Sequence, residues 1–252
     1  MECKTFFHIG LPESFFDTPC RYAILPGDPG RVERIAAFLD NPRFVASNRE
    51  FTSWEGYIKG ERVLVMSTGI GGPSAAICLE ELVQAGIDTV IRVGTCGGIN
   101  LDVSGGDLVV ASGAVRMEGT SREYMPLEFP AVANFEVLQA LVAASKKYAK
   151  THVGVVQSKD SFYGQHSPES MPIKNALNDK WYAWKNSGVM ASEMECAALF
   201  TVAAVRNVRA GAVLMSLWNQ ERAAAGLPDE HHFDTEDAIR AAVDAIAILA
   251  GA

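Results

Sequence analysis

The stretch Thr89-Val-Ile-Arg-Val93, followed at once by Gly94-Thr-Cys-Gly-Gly98, contains the pattern that decides the fold. Its first part is apolar on both faces apart from Arg92, which is typical of a strand inside a sheet that is covered on both sides. The second part is rich in glycine, and ligands of open α/β sheets bind where the strands end. The stretch therefore predicts a buried strand that leads into a binding loop.

Similar apolar runs recur along the 252-residue chain and alternate with segments of helical periodicity. Further strands are predicted at residues 22–25, 62–66, 107–111, 152–156 and 210–215. Helices are predicted at residues 74–85, 134–149, 192–205 and 234–249, the last with Asp234 as its N-cap. No repeat or linker divides the chain, so the sequence predicts one α/β domain over residues 1–252 with a mixed, largely parallel sheet.

The composition limits the classes of function. The chain has 22 Lys+Arg against 30 Asp+Glu, a net charge of −8, which argues against a nucleic-acid or anionic-membrane partner. No apolar run reaches the roughly 18 residues of a membrane span, and the first residues do not resemble a secretion signal. The 5 cysteines are far apart, which fits a reducing compartment better than a disulfide framework or a zinc site. We therefore expect a cytoplasmic globular protein.

Two glycine-rich segments could hold an anion. Gly27-Asp-Pro-Gly-Arg31 follows an apolar strand, and its alternative interpretation is a tight turn with a surface Arg31. Arg92 lies in an apolar strand, where a guanidinium is costly to bury unless it is paired with an acid or bound to an anion. A phosphate cradle that includes the Thr95 hydroxyl and an internal ion pair both remain open. Arg49 is a further candidate cation, or a solvated surface charge.

The segment Ser192-Glu-Met-Glu-Cys196 places two carboxylates at a predicted helix start. Glu193 and Glu195 are two residues apart and would point in different directions on a helix, so a close acid/base pair is not expected. One could bind hydroxyl groups while the other braces the loop or caps the helix. The alternative is that both only complement the helix dipole.

No nucleotide fingerprint is complete. Gly69-Ile-Gly-Gly-Pro-Ser74 lacks the third glycine of a dinucleotide-binding loop, and no Walker lysine follows a glycine-rich turn. Phe162 could stack on a planar ligand and Gln165 could pair with the edge of a base, although a core aromatic and a solvated amide are the commoner roles. A nicotinamide or nucleoside-triphosphate enzyme is therefore a weak alternative.

Several of these segments occur together in one order. They are FHIGL (7–11), GDPGR (27–31), SNREF (47–51), STGIGGPS (67–74), RVGTCGG (92–98), PLEFPA (126–131), DSFYGQ (160–165) and VMASEMECAAL (189–199). In this combination the chain resembles the uridine phosphorylases of the trimeric/hexameric nucleoside phosphorylase branch, from about residue 5 to about residue 250. The resemblance implies a single three-layer domain with a partly barrel-like sheet flanked by helices. It also implies a homohexamer built from dimers, no organic cofactor, and cleavage of uridine by phosphate to uracil and ribose 1-phosphate.

The resemblance further implies a role for each matching residue. The phosphate-binding positions are Gly27, Arg31, Arg49, Arg92 and Thr95, with Arg49 supplied by the neighbouring subunit. The ribose-binding positions are His8, Glu193, Met194 and Glu195, with His8 reaching across the dimer to the 5′-hydroxyl. Phe162 and Gln165 match the uracil-binding positions; Arg92, Glu195 and Gln165 are the implied catalytic residues. Glu50, Ile70 and Ser74 match a site for a monovalent cation such as K⁺ at the dimer interface.

One segment departs from the pattern of this family. Many relatives have an arginine two residues after the base-reading glutamine, whereas this chain has Gln165-His-Ser-Pro168. Lys159 or His166 is expected to supply the missing cation, with Lys159 favoured.

Near residues 216–219 the purine-cleaving relatives place an aspartate, whereas this chain has Leu217 and Trp218, which favours a pyrimidine base. Both are therefore expected to line the base pocket. A purine phosphorylase and a catalytically silent nucleoside-binding protein remain alternatives, and acceptance of deoxyuridine or thymidine stays open.

Overall fold

The structure is a computed structural model that describes residues 6–251. Its sheet is formed by short apolar runs, as the sequence predicts. The strands are β1 (Tyr22–Pro26), β2 (Asp40–Asn48), β3 (Phe51–Ile58), β4 (Glu61–Met66), β5 (Thr89–Gly98), β6 (Leu108–Arg116), β7 (Ala131–Val132), β8 (Thr151–Ser158), β9 (Ala191–Glu193) and β10 (Arg209–Trp218). The α-helices are α1 (Val32–Ala36), α2 (Gly72–Gln84), α3 (Thr120–Tyr124), α4 (Phe135–Ser145), α5 (Phe162–His166), α6 (Lys174–Asn186), α7 (Cys196–Arg206), α8 (Gln220–Ala224) and α9 (Glu236–Leu249). Short 3₁₀ turns occupy Glu13–Asp17, Pro29–Arg31 and Pro168–Ser170.

Part of the sheet closes on itself. β5 pairs in parallel with β10, β10 antiparallel with β6, and β6 in parallel with β8. β9 completes the ring because it pairs in parallel with β8 and antiparallel with β5. The sheet continues from β5 through β1, β4 and β3 to β2. The predicted mixed, partly barrel-like sheet is confirmed.

Helices cover both faces of this sheet and give the predicted three layers. Val90 on one face of β5 belongs to a core that includes residues of α2 and α7, such as Leu79 and Phe200. Ile91 on the opposite face belongs to a second core with residues of α4 and α9, such as Leu141. Burying a side chain of this size stabilises the fold by about 1.5–3 kcal/mol. Because helices cover both faces of β5, apolar residues are favoured on both of its faces.

The predicted helices exist, with shifted ends. α4 begins after Asn134, whose side chain accepts a hydrogen bond from the Val137 N–H at 3.2 Å, and it ends at Ser145, four residues earlier than the sequence suggests. α9 begins after Thr235, so Asp234 lies one residue before the N-cap position. Asp234 still accepts a hydrogen bond from the Glu236 N–H at 3.2 Å.

The sequence prediction is wrong at residues 192–195, which are not helical. Ala191–Glu193 is a strand between β5 and β8, and α7 begins only at Cys196. The reason is that Ser192 is paired with Gly97 on one side and Gln157 on the other, so the backbone is held extended there.

Among residues 6–251, no helix has the length and apolar composition needed to cross a bilayer. The prediction of one domain over residues 1–252 includes residues 1–5 and 252, which lie outside the described part of the chain.

Candidate functional site

A cavity of about 730 Å³ lies where the loops after β1, β4 and β8 meet the second half of β5. This volume is in the range of sites for small organic ligands. The binding loop predicted at residues 94–98 is wrong, because this segment continues the strand by pairing with β10 and β9. The cavity brings together most of the site residues predicted from the sequence: Gly27, Arg31, Glu50, Ile70, Ser74, Arg92, Thr95, Lys159, Phe162, Gln165, His166, Glu193, Met194, Glu195, Leu217 and Trp218. It does not include His8 or Arg49.

Arg92 lies on the cavity wall and is 4% exposed. Its Nη2 donates a hydrogen bond to Glu195 Oε2, and its Nε lies 3.4 Å from Glu193 Oε2. Its Nη1 is buried and has no hydrogen-bond partner among the described residues. Arg92 therefore forms the internal ion pair that was one interpretation of the sequence, and the binding of an anion by its remaining N–H groups stays a prediction.

A second guanidinium shares this cavity. Arg31 Nη1 is also buried without a hydrogen-bond partner in the described part of the chain. Burial and the nearby charge of Arg92 lower the pKa of Arg31. Two like charges in one partly dry cavity repel each other, so an anion bound between them would be favoured.

Gly27 keeps the space beside these arginines open. A Cβ atom at this position would lie 3.3 Å from the Gly69 carbonyl oxygen and 3.8 Å from Arg92 Nη1. Any larger side chain would fill the volume in front of that N–H group. Thr95, at the end of β5, lines the same cavity and is half-buried.

Glu195 is held from two sides. Its Oε1 accepts a hydrogen bond from the Gly71 N–H at 2.7 Å, and its Oε2 accepts one from Arg92. Burial raises the pKa of Glu195, and the Arg92 guanidinium opposes that shift. Burial would lower the pKa of Arg92, but the charges of Glu195 and Glu193 outweigh it and raise the pKa above its usual value. Arg92 is therefore cationic at any physiological pH.

Glu193 caps α7. Its Oε2 accepts hydrogen bonds from the N–H groups of Glu195 at 2.8 Å and Cys196 at 2.9 Å, and its Oε1 accepts one from the Ser158 hydroxyl. Capping is one of the two roles that the sequence left open for this pair. Because Glu193 ends a strand and Glu195 precedes the helix, both carboxylates approach Arg92, and the expectation that they diverge on one helix is wrong. The implied contact of Glu193 with ribose stays a prediction.

Aromatic side chains form another part of the cavity wall. The ring of Phe162, half exposed, lies 4.3 Å from that of His166, and the His166 ring stacks on Trp218 at 5.7 Å. His231 contacts the Trp218 ring as well, at 5.5 Å. Burial, and next the charge of Lys159, lower the pKa of His166 and favour the neutral imidazole. Leu217 completes this part of the lining.

Hydrogen bonds join Lys159 to Gln165 through a residue that the sequence did not single out. Lys159 Nζ donates to Ser192 Oγ at 2.5 Å, and Ser192 Oγ lies 2.6 Å from Oε1 of both Gln157 and Gln165. Burial lowers the pKa of Lys159 to about 8. Ser192 and Gln157 were missed because contacts between residues 35 positions apart leave no local pattern.

His8 is half-buried and Arg49 is exposed, and neither lines the cavity of its own chain. His8 Nδ1 is 2.5 Å from Glu81 Oε1, which leaves Nε2 of the ring on the other side. Arg49 is exposed, with its guanidinium 5.6 Å from the centre of the Phe7 ring. Their supply to the site of a neighbouring subunit stays a prediction.

The residues of the predicted cation site lie close together at the rim of the cavity. Ser74 Oγ is 2.8 Å from Glu50 Oε1 and 2.5 Å from the Thr68 carbonyl oxygen. The Ile70 side chain is 79% exposed. Binding of a cation there stays a prediction.

The sequence is similar to known enzymes over most of its length. Residues 21–252 match the Phosphorylase superfamily. The chain is 52% identical to a uridine phosphorylase of Treponema pallidum, over 96% of this chain and 93% of the relative. It is 47% identical to that of Escherichia coli over 82% and 83%, and 39% identical to a guanosine phosphorylase of Halorubrum lacusprofundi over 90% and 93%. Similarity of this extent, along nearly the whole chain, means that the protein belongs to the Phosphorylase superfamily.

Proposed function

We propose that the protein cleaves uridine with inorganic phosphate to give uracil and ribose 1-phosphate. The observation that carries this proposal is a cavity lined by Arg31, Arg92 and Glu195, in which each arginine has a buried N–H group without a hydrogen-bond partner among residues 6–251. The relatives at 45–52% identity named uridine phosphorylase support the choice of nucleoside.

The arginines would hold the phosphate. Phosphate is a weak nucleophile, so its reaction depends on positioning and on charges that are already in place. Arg31 and Arg92 supply the charge, Gly27 leaves room for the oxygens, and the Thr95 hydroxyl offers a further hydrogen bond. The second N–H group of Arg92 fixes Glu195 at the same time, so phosphate and sugar would be held in one geometry.

Glu195 and Met194 would hold the ribose. As the bond from C1′ to the base nitrogen breaks, its electron pair leaves with the base and the sugar becomes oxocarbenium-like. The carboxylate near the sugar hydroxyls stabilises that electron-poor ring, and a phosphate oxygen then bonds to C1′. Such contacts strengthen along the reaction path and therefore lower the barrier. The base would stack on Phe162 and be read by Gln165, with Lys159, His166, Leu217 and Trp218 around it.

The protein would be a cytoplasmic enzyme that assembles as a homohexamer. Each active site would be built from residues of two neighbouring subunits. Arg49 would reach the phosphate and His8 the ribose 5′-hydroxyl of the neighbouring subunit. Exposed apolar side chains lie near both residues, which is typical of a surface that another subunit covers. Phe7, 72% exposed, is next to His8 in sequence and its ring centre is 5.6 Å from the Arg49 guanidinium. Ile70, 79% exposed, lines the cavity together with Glu50, the residue after Arg49. Glu50, Ile70 and Ser74 would bind a monovalent cation such as K⁺ at that interface.

A substrate panel with and without phosphate tests the activity. Uridine should yield uracil and ribose 1-phosphate, and deoxyuridine and thymidine show how broad the specificity is. The guanosine phosphorylase among the relatives makes a purine the second candidate, which faster cleavage of guanosine or inosine would favour. A protein that binds nucleosides without turnover would contradict both.

A further inference from the structure

A buried lysine forms part of the wall between two cavities. Lys159 is 4% exposed and lines both the main cavity and an adjoining one of about 440 Å³. The carboxylates of Glu193 and Glu195 act on it only through space, and its direct side-chain contact is the Ser192 hydroxyl at 2.5 Å. Because the ammonium donates to a neutral hydroxyl and forms no ion pair among the described residues, its remaining N–H groups can bind an anionic ligand group.

Ser192 connects that charge to the amide of Gln165. Its hydroxyl oxygen accepts a hydrogen bond from Lys159 Nζ, so its one proton points to a glutamine Oε1 atom. Gln157 competes for that proton at the same distance of 2.6 Å, and its own Nε2 donates to Met117 Sδ at 3.1 Å. Each glutamine therefore has its carbonyl oxygen turned to Ser192, and Gln165 has its NH₂ group turned away from Ser192.

We propose that Ser192 is a positioning residue that locks Lys159 and Gln165 into one unit, and that the Lys159 ammonium stabilises the negative charge of the departing base. This inference rests on the proposed function. When the bond to C1′ breaks, the electron pair goes to the base, which becomes an anion until it takes a proton from solvent. The two remaining N–H groups of Lys159 and the NH₂ of Gln165 are donors for the carbonyl oxygens that carry this charge.

The reaction of two substrates with different leaving groups tests this proposal. Uracil is a poorer leaving group than 5-fluorouracil, because fluorine withdraws electrons and stabilises the anion. Lys159→Met should lower kcat/KM for uridine on the order of 100-fold. With 5-fluorouridine the loss of kcat/KM should be about tenfold smaller, since the 5-fluorouracil anion needs less stabilisation by the protein. Lys180→Met, at an exposed lysine of the adjoining cavity, is the matched control and should change neither value.

Ser192→Ala provides a second test that leaves the lysine in place. Removing one hydrogen bond should lower kcat/KM for uridine about tenfold and again less for 5-fluorouridine. Ser170→Ala in an exposed turn is the control. If Lys159→Met or Ser192→Ala lowered kcat/KM by the same factor for uridine and 5-fluorouridine, the residues would be merely structural and the proposal would be overturned. Wild-type turnover of uridine tests the proposed function separately.

The pH profile gives an independent readout. The titratable groups that interact electrostatically with Lys159 are Glu193 and Glu195 near α7, Cys96 in β5 and His166 in α5. With a pKa of about 8, Lys159 loses its proton as the pH rises, so wild-type kcat/KM for uridine should fall above about pH 8. In Lys159→Met this alkaline limb should disappear. An unchanged limb in the variant would show that another group titrates and would contradict the assigned role.

Discussion

Arg92 combines two tasks that a single charged residue seldom has in a protein interior. It neutralises the Glu195 carboxylate and keeps Nη1 for the cavity. The planar guanidinium makes this possible because its N–H groups point in fixed, separate directions, whereas an ammonium concentrates its donors at one atom. The sequence alone posed the two tasks as alternatives, and the geometry shows that they are compatible.

Replacing Arg92 by Lys should therefore separate charge from geometry. We expect the KM for phosphate to rise and kcat/KM to fall on the order of 100-fold, because the fork is lost while the positive charge near Glu195 is kept. Phosphate-dependent initial rates measure this. Arg209→Lys, in β10, is a matched control that should have no effect on turnover. Unchanged phosphate affinity in Arg92→Lys would mean that Arg92 serves only as an ion-pair partner.

At the scale of elements, the short strand β9 and the start of α7 position both carboxylates. Three strand residues insert between β5 and β8. Glu193 then accepts hydrogen bonds from the N–H groups of Glu195, just before the helix, and of Cys196, its first residue. This arrangement satisfies backbone donors that a helix leaves unpaired and places Glu195 at the turn between the two elements.

Glu193→Ala should destabilise the fold. Loss of an N-cap contact costs about 0.5–2 kcal/mol, and the buried Ser158 hydroxyl also loses its acceptor. For a chain of this size, 1 kcal/mol corresponds to roughly 2–4 °C in Tm, so a drop of several degrees in a thermal melt is expected. Glu169→Ala, which removes an exposed ion pair with Lys174, should leave Tm unchanged. A Glu193→Ala protein that melts like wild type would show that the cap is not needed.

The sequence predicts elements whose pattern is set by burial and misses those set by long-range pairing. β5 is apolar on both faces because helices cover it twice, so its signal is strong. α6 was not predicted, since none of its residues is fully buried and its apolar stripe of Leu177, Trp181 and Trp184 is narrow and only half-buried. β2 is an exposed edge strand, and β9 has only 3 residues. In the site, the family motifs point to Lys159 and Gln165, but the serine between them becomes visible only once β8 and β9 are side by side.

At the scale of the whole molecule, the surface position of His8 and Arg49 leads to a prediction about assembly. Glu81 accepts hydrogen bonds from the N–H groups of His8 and Ile9 and contacts His8 Nδ1, so the imidazole is held in one orientation at the surface. We expect this fixed ring to serve the site of another copy of the chain.

Mixing two inactive variants tests whether sites are shared. His8→Ala lacks the residue given to the neighbour, and Glu195→Ala lacks one kept in its own cavity. After the two variants are dissociated and reassembled together, a site is complete when a subunit with intact Glu195 pairs with a neighbour that has intact His8. Random pairing of equal amounts should make about a quarter of the sites complete. Each variant reassembled alone is the control. Activity that stays at the level of the separate variants would contradict shared sites.

We propose that the guanidiniums of Arg31 and Arg92 and the carboxylate of Glu195 hold phosphate and uridine in a single cavity for direct reaction. The most direct measurement is the initial rate of uracil release from uridine as phosphate is varied, with ribose 1-phosphate quantified in the same samples. We predict a rate that saturates with phosphate, approaches zero without it, and yields one ribose 1-phosphate for each uracil. Release of uracil at the same rate in phosphate-free buffer, with free ribose as the product, would contradict the account.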